Sequence, residues 1–136
     1  MSVVVPHKAI EKISAAADPK EAILELVGDI SGVHVMGDMV LLGTFIRPEK
    51  TAGGIIRPTV NVQEDIWQGK VGIVLKRGPD AFVDTPDYRF SETVESGEWC
   101  IYKVGDAWSL NINNYPCRLV RDINIRLKVD NPLIVL

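Results

Sequence analysis

The residues of this sequence that could do chemistry are scattered rather than assembled. His7 and His34 stand far apart, and neither has the Cys, Asp or Glu spacing of a zinc site. Cys100 and Cys117 are too few for a disulfide framework and lack metal-ligand spacing. Cys100, in Trp99-Cys100-Ile101-Tyr102, reads as a buried strand thiol. Cys117 follows Pro116 in an expected turn, where only Arg118 stands by to lower its pKa. Asp80, Asp84, Asp87, Glu92 and Glu95 gather between two strand-like runs. Paired carboxylates can do acid–base work, but charge in a long connection normally serves solvation. A phosphate-cradling reading of Thr51-Ala52-Gly53-Gly54 fails, because no helical pattern follows the glycines. We therefore expect no catalytic site, no cofactor and no metal.

What remains is a pattern suited to binding. In residues 47–58 a Gly53-Gly54 hinge is followed at once by Ile55 and Ile56. Paired glycines give up backbone order, whereas two β-branched residues favour burial or strand pairing. Such a segment gains most by ordering on contact with a partner.

The elements that must position it divide into two kinds. Residues 7–17 and 19–30 have helical spacing, with Ile10, Ile13 and Ala17 on one face and Ile23, Leu26, Val27 and Ile30 on another. Asp18 suits an N-cap, Pro19 the first helical position and Glu21 a capping exchange, and Gly28 or Gly32 can end the second helix. From Val33 onward the period becomes two, and His34 reads as a strand-edge residue. Strands are predicted over 39–42, 71–75, 99–102, 108–112 and 118–120, and over 123–129, where Ile123, Ile125, Leu127 and Val129 alternate with polar neighbours. Turns are expected at 77–80, 95–98, 104–106 and 113–116. Short strands at this spacing make a small barrel or sandwich.

Length and composition agree with one soluble domain: 136 residues, 46% hydrophobic and 24% charged. A net charge of −3 argues against nucleic acid or an anionic membrane as the partner. No apolar run approaches the roughly 20 residues that span a bilayer, and the first residues lack signal-peptide character, so a cytoplasmic location is expected.

In this order the pieces resemble the GroES-type co-chaperonins, the chaperonin-10 family, over residues 35–129. Asp38-Met39-Val40-Leu41-Leu42 resembles the family's first strand, and Lys50-Thr51-Ala52-Gly53-Gly54-Ile55-Ile56 its mobile loop. Gln68-Gly69-Lys70-Val71-Gly72-Ile73-Val74 resembles the strand after that loop. Residues 95–102 and 118–125 resemble the later strand opening and the strand-turn-strand that closes the chain.

The resemblance implies a mainly β fold, a GroES-like distorted β-barrel over residues 33–136, with a short helical N-terminal extension over residues 1–32. It implies a mobile loop at 47–66, a roof hairpin at 78–94 and a homo-oligomeric ring of seven subunits. The ring would cap a GroEL-type chaperonin cylinder around an enclosed substrate protein, with no enzymatic chemistry of its own. Gly53, Gly54, Ile55, Ile56 and Arg57 would form the chaperonin-binding site. Arg57 departs from the family, which has an aliphatic residue there; one lost aliphatic contact is worth about 1.5–3 kcal/mol per loop. Repeated around a ring, the loss weakens avidity. The clustered acids of the roof imply mutual repulsion around a central opening. Residues 2–30 and the aliphatic tail 133–136, expected to add to a sheet within or across subunits, have no counterpart in compact members. Such additions suit phage-borne versions that help fold capsid proteins in an infected bacterial cell. The alternative is a phage structural or assembly protein that keeps the ring-forming barrel and binds no chaperonin. Zinc alcohol dehydrogenases also contain such a barrel, but their Cys and His ligands are missing here.

Overall fold

The computed structural model of the protein describes residues 19–45 and 70–134. The fold is mainly β: among the described residues there are one α-helix and six strands, with all strand pairs antiparallel in a single sheet. The helix is α1 (Pro19–Val27) and the strands are β1 (Met39–Thr44), β2 (Val71–Arg77), β3 (Trp99–Tyr102), β4 (Trp108–Ile112), β5 (Tyr115–Arg121) and β6 (Ile125–Val129). Across the sheet they run β4-β5-β1-β2-β3-β6. No helix among the described residues is long and apolar enough to cross a membrane.

Strands β1, β2, β3 and β5 are buried almost continuously rather than alternately. The reason is that both faces of the sheet are covered. On one face α1 seats Ala22, Ile23 and Val27 against Leu41, Ile73, Leu75 and Cys117. Gly43 permits the close approach, since a Cβ there would stand 3.1 Å from Ile23 Cγ2. On the other face Val40, Leu42, Val74, Cys100, Tyr102 and Val120 lie beneath Ala81, Phe82 and Val94 of the β2–β3 connection.

Pro19 is the first residue of α1, as its fixed φ favours; Asp18 and the helix expected over residues 7–17 lie outside the described residues. The helix stops three residues short of the expected end, at a left-handed Gly28 (φ 73°) whose N–H bonds Leu24 O. Its last carbonyl, Val27 O, accepts Asn113 Nδ2 at 2.6 Å. After it, Lys76 Nζ holds Ile30 O and Val33 O at 2.6 and 2.8 Å. His34 lies in this stretch, exposed and outside any strand, which corrects its reading as a strand-edge residue.

Two further expectations are corrected, and a third, the tail 133–136 adding to a sheet within or across subunits, finds no strand in the part of it that is described. Tyr115, Pro116 and Cys117 belong to β5 rather than to a turn; the reversal is made by Asn113 and Asn114 alone, both at positive φ. Cys117 is therefore a core residue, completely buried. Residues 122–124 form a 3-10 turn, so β6 begins only at Ile125 and leaves Leu127 53% exposed. Pro132–Ile134 wind into another 3-10 turn with Ile134 exposed, and do not join the sheet of their own chain.

Burial pushes the Cys100 and Cys117 thiols up to about 12 from an ordinary 9.0. Neither should react with a thiol reagent at pH 8 until denaturant opens the core. The folded thiols hold protons that the unfolded chain releases, so this contribution to stability is complete below about pH 9 and is lost as pH rises through 12. Urea midpoints at pH 8 and 10.5 measure the loss; prompt labelling of native protein at pH 8 would contradict it.

Candidate functional site

The insertion between β1 and β2 leaves and re-enters the sheet at neighbouring points. Thr44 pairs with Gly72, and Phe45 N–H continues the ladder to Val71 O at 3.0 Å. Each end is tied separately. The Tyr115 hydroxyl crosses the core to donate to Thr44 O at 2.5 Å, and Tyr102 N–H donates to Lys70 O at 3.0 Å. Phe45 packs edge-on against Trp99, with ring centroids 5.2 Å apart.

Beneath this stem lies a polar cluster inside the apolar core. The Tyr102 hydroxyl lies close to the side chains of Thr44 and Arg118, and the buried Thr44 Oγ1 has no hydrogen-bond partner among the described residues. Arg118 is fully buried and donates from Nη1 to Cys117 O at 3.3 Å. Burial drives the Tyr102 phenol up to about 12, with the Arg118 charge acting against it, while burial raises Tyr115 well above its ordinary range. Both phenols are thus neutral donors throughout the neutral range, which suits them to hold the stem.

Gly53, Gly54, Ile55, Ile56 and Arg57 lie outside the described residues, as does the rest of the loop expected over 47–66. The described structure supplies the stem from which they are carried.

The second feature is the β2–β3 connection. Residues 78–94, expected as a roof hairpin, contain no strand; their only reciprocal backbone pairing among the described residues is Thr85–Tyr88, around Pro86-Asp87. Side chains hold the rest. Buried Asp122 accepts Phe82 N–H through Oδ2 at 2.9 Å and Ile123 N–H through Oδ1 at 2.7 Å. Asp84 Oδ1 accepts Phe90 N–H at 2.8 Å. Phe82, Phe90 and Tyr88 form an aromatic run, with centroids 5.4 and 4.7 Å apart.

The acidic cluster seen in the sequence is largely consumed by the fold. Asp84 is a backbone acceptor, Glu92 pairs with Lys128 at 3.0 Å and Glu95 with Arg77 at 3.1 Å. Glu98 joins Lys128 at 3.0 Å; the Glu95 N–H, then Lys128, lower its carboxyl, and the same contact, first among several, raises the Lys128 amine. Among the described residues no group of three or more His, Cys, Asp or Glu side chains could hold a metal ion.

Sequence reasoning missed two residues, Arg118 and Asp122. Arg118 stood at a core-facing position of its strand, the one signal available. Asp122 interrupts an apolar run just where the 3-10 turn falls.

No family model matches this chain, and no curated protein matches it. The fold and stem define a doubly covered antiparallel β domain that presents one long insertion from adjacent strand ends.

Proposed function

We propose that this protein is a co-chaperonin-type lid, acting by binding. The observation that carries the reading is the stem: both ends of the β1–β2 insertion are tied side by side, by Tyr115 at Thr44 and by Tyr102 at Lys70. A docking segment on a fixed base loses less freedom on binding than one whose base must also be ordered. In this reading Gly53 and Gly54 are the hinge and Ile55 and Ile56 the apolar anchors between helices of a chaperonin. Arg57 reduces the affinity of each loop, and a ring of about seven loops restores it by multivalency. Closure of the sheet into a GroES-like barrel, assembly into that ring and action in the cytoplasm of a bacterial or phage-infected cell belong to the same reading. The enclosed substrate would be a folding protein, such as a capsid protein.

The test mixes the purified protein with a bacterial chaperonin and ATP and counts capped cylinders by electron microscopy. Wild type should cap. Ile55→Asp should reduce occupancy at least tenfold, because each loop loses a buried side chain worth about 1.5–3 kcal/mol. Arg57→Leu should tighten binding. Absence of any capped complex, with the protein folded and assembled, would defeat the lid reading.

A further inference from the structure

Residues 78–94 separate two grooves of opposite character. One, of about 310 Å³, runs between Arg89, Phe90 and Glu92 and the β6 residues Arg126, Leu127 and Lys128. The other, of about 720 Å³, lies between Val83, Tyr88 and Phe90 on one side and Gly37, Asp38 and Ile123 on the other. The larger groove has the features of a prepared apolar site. Val83 is 53% and Tyr88 40% exposed, more than packing within the chain requires. Its wall is set by the fold, because the Phe90 N–H is bonded to Asp84 and its ring packs edge-on against Phe82 and tilted against Tyr88.

Its charges sort by whether the fold uses them. Asp38 is paired with Arg121 through Nε and Nη2 at 3.1 and 2.9 Å, which also cancels the groove's one described cation. Asp122 is buried and engaged with two backbone N–H groups. Asp80 and Asp87 are left: both line the groove, both are exposed, and neither carboxylate has a partner among the described residues. An apolar groove bordered by two uncommitted negative charges complements a segment that alternates aliphatic and cationic side chains. Arginine suits it better than lysine, since a guanidinium can pair with a carboxylate and stack on Tyr88.

We propose that this groove docks an extended peptide segment of a partner protein, with an aliphatic side chain against Val83, Tyr88 and Phe90 and flanking arginines at Asp80 and Asp87. It is independent of the β1–β2 insertion and of the lid reading.

The probe is a fluorescein-labelled peptide, Gly-Arg-Leu-Arg-Leu-Gly, with a Gly-Glu-Leu-Glu-Leu-Gly counterpart, measured by anisotropy and by amide chemical-shift mapping on the full chain. The arginine peptide should bind and shift Val83, Tyr88, Phe90 and Ile123. Asp80→Asn with Asp87→Asn should weaken it about 3- to 10-fold, as expected for two partly exposed pairs, and raising the salt should do the same. Tyr88→Ala should weaken it at constant charge, while Arg126→Glu, in the other groove, should leave it unchanged. Equal binding of the glutamate peptide, shifts centred elsewhere, or no binding at millimolar peptide would overturn the proposal. Because the Asp80 and Asp87 carboxylates are exposed and have no partner among the described residues, their asparagine variants should keep wild-type stability; a loss of folding in them would show that the carboxylates are structural and would equally overturn it.

Discussion

Gly78→Ala is expected to lower folding stability by about 2–3 kcal/mol, or roughly 10 °C in Tm for a domain of this size. A Cβ built on Gly78 would overlap the Gly37 carbonyl and crowd Met36 C at 2.9 Å. These obstacles are backbone atoms, so no rotamer change relieves them. Nor can the backbone slide. Gly78 N–H donates to Met39 O at 2.8 Å, and the Gly37 carbonyl is itself held by Asp80 N–H at 2.9 Å. The two stretches are thus laced together where β2 passes into the connection that covers one sheet face. Gly32→Ala is the control: nothing lies within 4 Å of its added carbon, and its φ carries no penalty. Urea midpoints separate the two, and a Gly78→Ala midpoint within error of Gly32→Ala would refute the close-approach argument.

Gly78 also shows where sequence reading succeeds and where it stops. Arg77-Gly78-Pro79-Asp80 is legible as a turn from composition, but the need for glycine comes from a chain segment forty residues earlier. The same division holds for the strands. β3 and β4 have the expected bounds because apolar runs between turn signals define both. Pro116 made the start of β5 look like a turn. It is tolerated there because the β1–β5 pairing ends at Gly43↔Cys117, so no ladder N–H is required of residue 116 on that side. In β6 the strict alternation is broken by a register shift against β3: Ile101 pairs with Leu127, but Tyr102 pairs with Ile125. One extra residue moves Ile125 to the opposite face from Val129, and each joins a different core. A single sequence holds no sign of such a slip.

The stem follows similar logic. Of its anchors, Tyr102 was legible as a strand residue, whereas Tyr115 was expected in a turn and is placed in β5 only by the fold. That the Tyr115 hydroxyl reaches Thr44 O depends on the order β4-β5-β1-β2, which places Tyr115 beside the end of β1. Order of this kind arises from long-range pairing, and a period-two pattern is silent about it. The acids show the converse. Their clustering was visible, but only the fold separates those that hold backbone from Asp80 and Asp87.

Asp122→Ala should be the most disruptive loss of a side-chain contact, about 2–4 kcal/mol, because one carboxylate serves two backbone donors and one of them is buried. The Phe82 bond also stabilises unfavourable local geometry, since Phe82 sits at φ 60°, a region that large aromatic residues seldom adopt. Without the carboxylate, the Phe82 N–H is left without its acceptor and nothing offsets the backbone cost. Asp122→Asn should fall between, as its one carbonyl oxygen can keep Phe82 while its amide faces the Ile123 N–H, donor against donor. The damage should be local before it is global. Ala81, Phe82 and Val94 cover one sheet face, whereas α1 packs into the separate core on the other face. Hydrogen exchange should therefore accelerate at Phe82 and Phe90 well before it does along β1, β2 and β5. Uniform acceleration across the sheet would mean that Asp122 supports the whole fold rather than pinning the connection. The groove proposal predicts a further consequence: with Phe82 released, the aromatic run through Phe90 to Tyr88 loses its inner support, and binding of the arginine peptide should fall together with that protection.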